Sequence, residues 1–212
     1  MPISTPIARS KTSALARVLD AIPKGYTRTT QGAVKPAKAL ALIRKFHELY
    51  GIGCTPGQRL VRKAAGKANC LLVIYWPEGA VSVEWLMLAT PGTGIEAERL
   101  QPVDGTPRAH WLGYELVRRP NERGNASWTW RRPKAEMAEH HALIAELSNQ
   151  HHQNALAALL QRIAHQPGFN GVRTQGRELF NEAVRRGHKS EELPMLFWLT
   201  KPTHGERYLI PS

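Results

Sequence analysis

Residues 69–89 read NCLLVIYWPEGAVSVEWLMLA. Two apolar runs, 69–76 and 81–89, flank the triplet Pro77-Glu78-Gly79. Each run has strand length and is rich in aliphatic and aromatic residues, and the proline and glycine between them supply a turn, so the stretch is a β-hairpin. The most apolar part, residues 70–76, falls far short of the roughly 20 apolar residues of a membrane-spanning helix. No membrane partner is expected.

A second pair of strands follows, 111–118 (WLGYELVR) and 126–131 (ASWTWR), joined by the polar stretch 119–125. Residues 90–110 between the pairs are rich in Pro, Gly and Thr and read as a long loop. The simplest assembly is α+β: one four-stranded antiparallel sheet covered on one side by the helices ahead of it. Those helices are 14–22 and, with a strong apolar face, 36–50, where Pro36 suits the first turn and Gly51 ends the run. Residues 26–34 (YTRTTQGAV) show no convincing period and read as a polar connection; the N-terminal residues read as a frayed end.

Thr55-Pro56 opens a short helix whose sequence, GQRLVRKAAGK, sets Arg59, Arg62, Lys63 and Lys67 close together with no acid among them. Such a cationic run suits phosphate contact. Beyond Pro133, helices are expected over 135–148 and 155–165, followed by PGFNGVRTQGRELFNEAVRR at 167–186. At 100° per residue this last stretch places Val172, Gly176, Leu179, Phe180, Ala183 and Val184 on one face. Thr174, Arg177, Asn181 and Arg185 occupy the other. Residues 193–200 and 207–211 read as a terminal hairpin with Lys201 and His204 at its tip. Helix, turn, helix, hairpin is a winged-helix-like order. A cut near Pro133 gives an α+β domain, 1–133, and a helical, winged-helix-like domain, 134–212.

The chain of 212 residues carries 29 Lys+Arg against 17 Asp+Glu, a formal net charge of +12. A field of that sign favours polyanions, nucleic acid first. In the winged-helix reading Arg177 and Asn181 suit base edges, guanidinium on guanine and amide on adenine. Arg173 and Arg185 suit phosphates, and Arg131 and Arg132 follow Trp128 and Trp130, which as exposed indoles would stack unpaired bases. Duplex DNA is expected ahead of RNA. The alternatives are a single-strand or RNA binder, a metal-dependent nuclease using Glu84 and Glu115, and an adaptor whose charge serves solubility.

Catalytic signatures are sparse. Asp20 and Asp104 are the only aspartates, and neither Glu84 nor Glu115 is followed two positions later by lysine. Cys54 and Cys70 have no metal-ligand spacing and form no disulfide framework, which fits a reducing cytoplasm. The histidine pairs 140–141 and 151–152 would lie about 16 Å apart on a continuous helix, too far for one metal. No Walker loop or G-x-S-x-G elbow occurs, and no cofactor is expected.

GYTRTTQG (25–32), KFHELYGIG (45–53), WLGYELVRRP (111–120), SWTWRRPK (127–134) and PGFNGVR (167–173) resemble segments of largely uncharacterised proteins carried by bacterial plasmids and integrating conjugative elements. The resemblance implies a bacterial cytoplasmic setting and mobile-element biology, with protein partners or a homodimer left open. It transfers no functional residue.

Overall fold

The computed structural model describes residues 4–120, 124–197 and 207–209. The protein is α+β and divides into two compact units, Met1–Leu112 with Pro202–Ser212, and Gly113–Lys201.

Unit one is built on a six-stranded sheet in the order β5-β2-β4-β3-β1-β9. Its strands are β1 (Ser4–Ala8), β2 (Arg28–Val34), β3 (Cys70–Tyr75), β4 (Val83–Ala89), β5 (Gln101–Pro102) and β9 (Arg207–Leu209), and the short β6 (His110–Trp111) closes the unit. The hairpin read from residues 69–89 is its centre. β4 pairs antiparallel with β3 on one side, from Cys70↔Ala89 to Tyr75↔Glu84, and with β2 on the other, from Arg28↔Ala89 to Val34↔Val83. β1 runs parallel to β3 and antiparallel to β9.

Both faces of the central strands are buried. On one, Cys70, Leu72 and Ile74 of β3 and Val83 and Met87 of β4 meet Ala39, Ile43, Phe46 and Tyr50 of α2 (Pro36–Tyr50). Phe46 sets its ring edge-to-face against Trp85 at 5.1 Å. On the other, Val73, Leu86 and Leu88 are buried too, and α1 (Lys11–Ala21) packs on β3 with Leu15 and Val18 inside. Ser10 caps α1 by accepting from the Ser13 N–H, and Gly51 ends α2 in the left-handed conformation its position requires. Gly32 lies opposite Trp85 on the β2–β4 ladder, and a Cβ there would meet the indole at 2.7 Å.

Two strands depart from the sequence expectation. Residues 28–34 form β2 because β4 offers a full ladder; all of them but Thr29 are exposed or half-exposed, so no apolar period marks it. The N-terminal residues form β1 rather than fraying: Thr5 and Ile7 are buried. The Thr5 hydroxyl and His47 Nε2 lie 2.5 Å apart and tie β1 to α2.

The four strands expected in one sheet are all present, but they are shared between two sheets. β7 (Tyr114–Pro120) and β8 (Ala126–Arg131) form an antiparallel ladder from Glu115↔Arg131 to Pro120↔Ala126, in unit two. There they accompany α4 (Lys134–Asn149), α5 (Gln153–Ala164) and α6 (Asn170–Arg185). The helices share a core of Met137, Ile144, Leu156, Leu159, Leu160, Ile163, Leu179 and Phe180. Pro133 sits inside this unit as the N-cap of α4.

α6 also packs on β8. The Gly171 N–H donates to Thr129 Oγ1 at 3.1 Å, and a Cβ on Gly171 would come within 2.4 Å of the Trp130 carbonyl oxygen. Beside it Arg132 is fully buried. Its N–H donates to Gln175 Oε1 at 2.7 Å and its carbonyl accepts from Gln175 Nε2 at 3.1 Å, so one amide brackets the Arg132 backbone. Arg132 Nε donates to Gln166 Oε1 at 2.7 Å, an oxygen that also accepts from the Tyr114 hydroxyl at 3.2 Å. Burial pushes the Tyr114 hydroxyl up to about 12 and lowers Arg132 from its ordinary value.

The terminal hairpin differs as well. Residues 193–197 carry no regular structure, residues 198–206 lie outside the described residues, and β9 pairs with β1.

Two stability outcomes follow from this packing. Gly171→Ala is expected to lower stability by about 1–3 kcal/mol, because the added methyl meets backbone that cannot yield. Gly176→Ala would meet only side-chain ends, Leu196 at 2.8 Å and Ile163 at 3.8 Å, and is expected to be near neutral, the gain of about 1 kcal/mol in helix propensity offsetting the contact. Thermal melting of both variants checks the contrast.

Burial holds His47 below its ordinary 6.5, outweighing the raising effect of a hydrogen bond with the Ile52 backbone. The unfolded chain therefore binds the proton first as pH falls. Stability carried by the neutral imidazole is intact above about 6.5 and is lost as pH drops from there towards the lower folded-state value. The urea midpoint of unit one should fall between pH ~7.5 and ~5.5, and His47→Gln should flatten that fall.

Candidate nucleic-acid interface

The short helix opened by Thr55-Pro56 is α3 (Pro56–Ala64). Its start is a capping box: the Gln58 N–H donates to Thr55 Oγ1 at 3.3 Å, and the Thr55 N–H donates to Gln58 Oε1 at 2.8 Å. No residue of α3 is buried. Leu60 and Val61 are 69% and 70% exposed, which leaves apolar burial no part in holding the helix down.

Polar ties do that work. Arg62 donates from Nε and Nη2 to the Ala68 carbonyl at 3.3 and 2.8 Å, and Asn69 Nδ2 donates to the Arg59 carbonyl at 3.1 Å. Arg62, a candidate phosphate contact, is thus half-buried and engaged in fastening the helix. Arg59, Lys63 and Lys67 are exposed, and their side chains make no hydrogen bond or ion pair among the described residues. Alongside α3 lies a cavity of about 580 Å³ with Lys24, Arg59 and Lys63 in its lining and no acidic side chain.

α6 keeps its expected division. Val172, Gly176, Leu179, Phe180 and Ala183 are buried, while Val184, expected among them, is partly exposed. On the outer face Arg177 and Asn181 are exposed and free of partners among the described residues. The remaining candidates there are engaged. Thr174 is half-buried and its hydroxyl donates to the Asn170 carbonyl at 3.0 Å. Arg173 is half-buried and has a partner of its own. Arg185 and Arg186 both pair with Glu182, Arg186 at 2.7 Å, and the Arg186 hydrogen bond holds the Glu182 carboxyl below its usual range.

β8 offers less than its sequence suggests. Arg131 is ion-paired with Glu115, directly across the ladder, at 3.1 Å. Arg132 belongs to the interior, with Glu136 at 3.5 Å. Trp130 is fully buried and Trp128 half-buried, so the two indoles form no stacking platform. Lys201 and His204 lie outside the described residues.

Glu84 stands on β4 in unit one and Glu115 on β7 in unit two, the latter occupied by Arg131. Among the described residues no group of three or more His, Cys, Asp or Glu is placed to hold a metal ion. The histidine pairs do not share a helix: α4 ends at Asn149, and His151 has a left-handed φ of 56°.

The cavity beside α3 brings in Lys24, Tyr26 and Asn69, which pattern reading passes over. Asn69 carries the one available signal, an amide placed directly ahead of an all-apolar strand. Comparison with family models, with curated proteins and with solved structures finds no match.

Proposed function

We propose that the protein binds nucleic acid, duplex DNA ahead of RNA, as a non-enzymatic accessory or regulatory protein of a bacterial mobile element in the cytoplasm. One observation carries this reading: no residue of α3 is buried, Arg59 and Lys63 on it and Lys67 just beyond it are unpaired among the described residues, and no acid lies within it. A helix that buries nothing and presents uncompensated cations is suited to a polyphosphate backbone. The net charge of +12 supports it. The mobile-element setting rests on the resemblance of the segments quoted above.

In the second unit, Arg177 and Asn181 lie four positions apart on the outer face of α6, over a three-helix core. They are the groups suited to base edges, and α6 is the recognition element if unit two works in the manner of a winged helix.

Fluorescence anisotropy with a labelled duplex, titrated at rising salt, tests both elements. Arg59→Ala with Lys63→Ala should weaken binding to all sequences alike and reduce the slope of log K against log salt by about 2, since each phosphate contact contributes about 0.9. Binding that is absent at low salt, where the electrostatic attraction is greatest, would refute the proposal. Arg177→Ala with Asn181→Ala should instead narrow the gap between preferred and unrelated sequences, by about 1–3 kcal/mol per lost base contact. Equal losses on both kinds of sequence would mean that α6 reads no bases.

A further inference from the structure

The sheet of unit one ends in an edge that β5 closes only in part. The Val103 N–H donates to the Thr27 carbonyl at 2.9 Å and Thr29 stands opposite Gln101, so residues 27, 29, 31 and 33 turn their N–H and C=O away from β4. The far side of β4 agrees. There the Thr90 N–H donates to the Asn69 carbonyl at 3.0 Å, which sets the even residues of β4 towards β3 and leaves the odd ones bonded to residues 28, 30, 32 and 34 of β2. β5 covers only Arg28 and Thr29. Ahead of it the chain leaves the ladder: the Leu100 N–H turns back to the Glu98 carbonyl at 3.0 Å, and Leu100 packs on the core that holds α2. Gln31 and Ala33 are exposed, and their outward N–H and C=O groups have no partner among the described residues. The open stretch Gln31-Gly32-Ala33-Val34 has neither a charge nor a proline, two common guards of a sheet edge.

At the closed end of this edge lies a cavity of about 380 Å³, with Thr29, Gln31, Gln101, Arg99, Arg108 and His110 in its lining. The two guanidiniums and the imidazole are exposed and have no partner among the described residues. No acid lines the cavity, and the neighbouring Glu98 is taken by the Tyr50 hydroxyl at 2.6 Å. An open edge selects a peptide backbone, whose N–H and C=O groups alternate at the spacing of the ladder. A phosphate backbone would meet the arginines and leave the edge unmet. Charge sets the direction of the guest. A strand antiparallel to β2 runs towards Thr29 and brings its C-terminal end to the arginines, whereas a parallel one would bring its ammonium there. β5 sets where the guest ends, because it already occupies the ladder opposite Arg28 and Thr29. We propose that β2 accepts the C-terminal segment of a partner protein as an added antiparallel strand, hydrogen-bonded at Gln31 and Ala33, with its terminal carboxylate among Arg99, Arg108 and His110. This site shares no residue with α3 and does not depend on the nucleic-acid reading.

Labelled peptides of about six residues, randomised over Val, Ile, Thr, Tyr and Ser, supply a probe of strand length with no chosen sequence. One pool ends in a free carboxylate, a second in an amide, and a third in an Asp residue whose own C-terminus is amidated. Fluorescence anisotropy should show the carboxylate pool binding about tenfold tighter than the amide pool, the effect of one charge-assisted hydrogen bond. Arg99→Gln with Arg108→Gln should erase that difference. Both side chains are exposed and unpaired among the described residues, so thermal melting should be unchanged. Amide exchange followed by NMR should slow at Gln31 and Ala33 when the carboxylate pool is added. Equal binding of the carboxylate and amide pools, or unchanged exchange at Gln31 and Ala33, overturns the proposal. So does an Asp-amide pool that binds as tightly as the carboxylate pool, which would make the guest an internal acidic strand. Protection of the two amides that grows with protein concentration in the absence of peptide would assign the edge to a second copy instead. Loss of duplex binding in the Arg99→Gln, Arg108→Gln variant, with no peptide binding to the wild type, would give the cavity to nucleic acid.

Discussion

The organising constraint is that β3 and β4 bury both of their faces. Leu72, Ile74 and Met87 point to one side, Val73, Leu86 and Leu88 to the other, and all are nearly inaccessible. A sheet with two apolar faces needs a cover on each. α2 meets the first need with Ala39, Ile43, Phe46 and Tyr50, and α1 packs on β3 with Leu15 and Val18 buried. Once those two helices are in place, the third has no apolar surface left to claim. α3 remains outside, fastened by Arg62 to Ala68 and by Asn69 to Arg59. The exposure that makes α3 the candidate interface follows from how the core is filled.

The bulk charge divides into structural and available cations, and only the second kind can meet a partner. Arg62, Arg131, Arg132, Arg185 and Arg186 each have carbonyl, amide or carboxylate partners within the fold. Arg59, Lys63, Lys67 and Arg177 have none among the described residues. Arginine is well suited to the structural role, since its planar donors satisfy several acceptors at once and it stays charged when half-buried. Arg132 is the extreme case: Gln166, in the turn after α5, holds its side chain, and Gln175 of α6 holds its backbone. A count of basic residues therefore overstates the surface a polyanion would meet.

What pattern reading recovers and what it misses have one physical cause. The β3–β4 hairpin and α2 are legible because whole faces are buried, so composition and period are strong. The inner face of α6 is legible for the same reason, apart from Val184. β2 is missed because it lies beside the short β5 and exposes or half-exposes most of its side chains; its Thr, Gln and Gly carry no alternation. β1 is missed because five residues with a proline at their centre hold too little pattern, and its partners lie far along the chain. The division of four strands into two sheets depends on long-range packing that no local period encodes. The same limit applies to the site. Arg131 and Arg132 look alike in sequence, and only the alternation of the strand end and the reach of Gln166 and Gln175 decide that one is half-exposed and the other buried.

The polar ties on α3 bear on binding as well as on folding. A nine-residue helix is well below the roughly 12–15 residues at which an isolated helix becomes even marginally stable in water. With no buried residue to anchor it, α3 would fray and scatter its cations if the capping box, Arg62 and Asn69 did not hold it. Ordering that segment on binding would reduce affinity by the entropy of each residue fixed. The ties meet that cost during folding, so Arg59 and Lys63 stand in place before any partner arrives. Arg62 thus supports the candidate interface from within the fold: its guanidinium holds the helix that carries Arg59 and Lys63. Asn69 contributes through its side-chain nitrogen, which fastens the helix by donating to the Arg59 carbonyl from just ahead of the strand that follows.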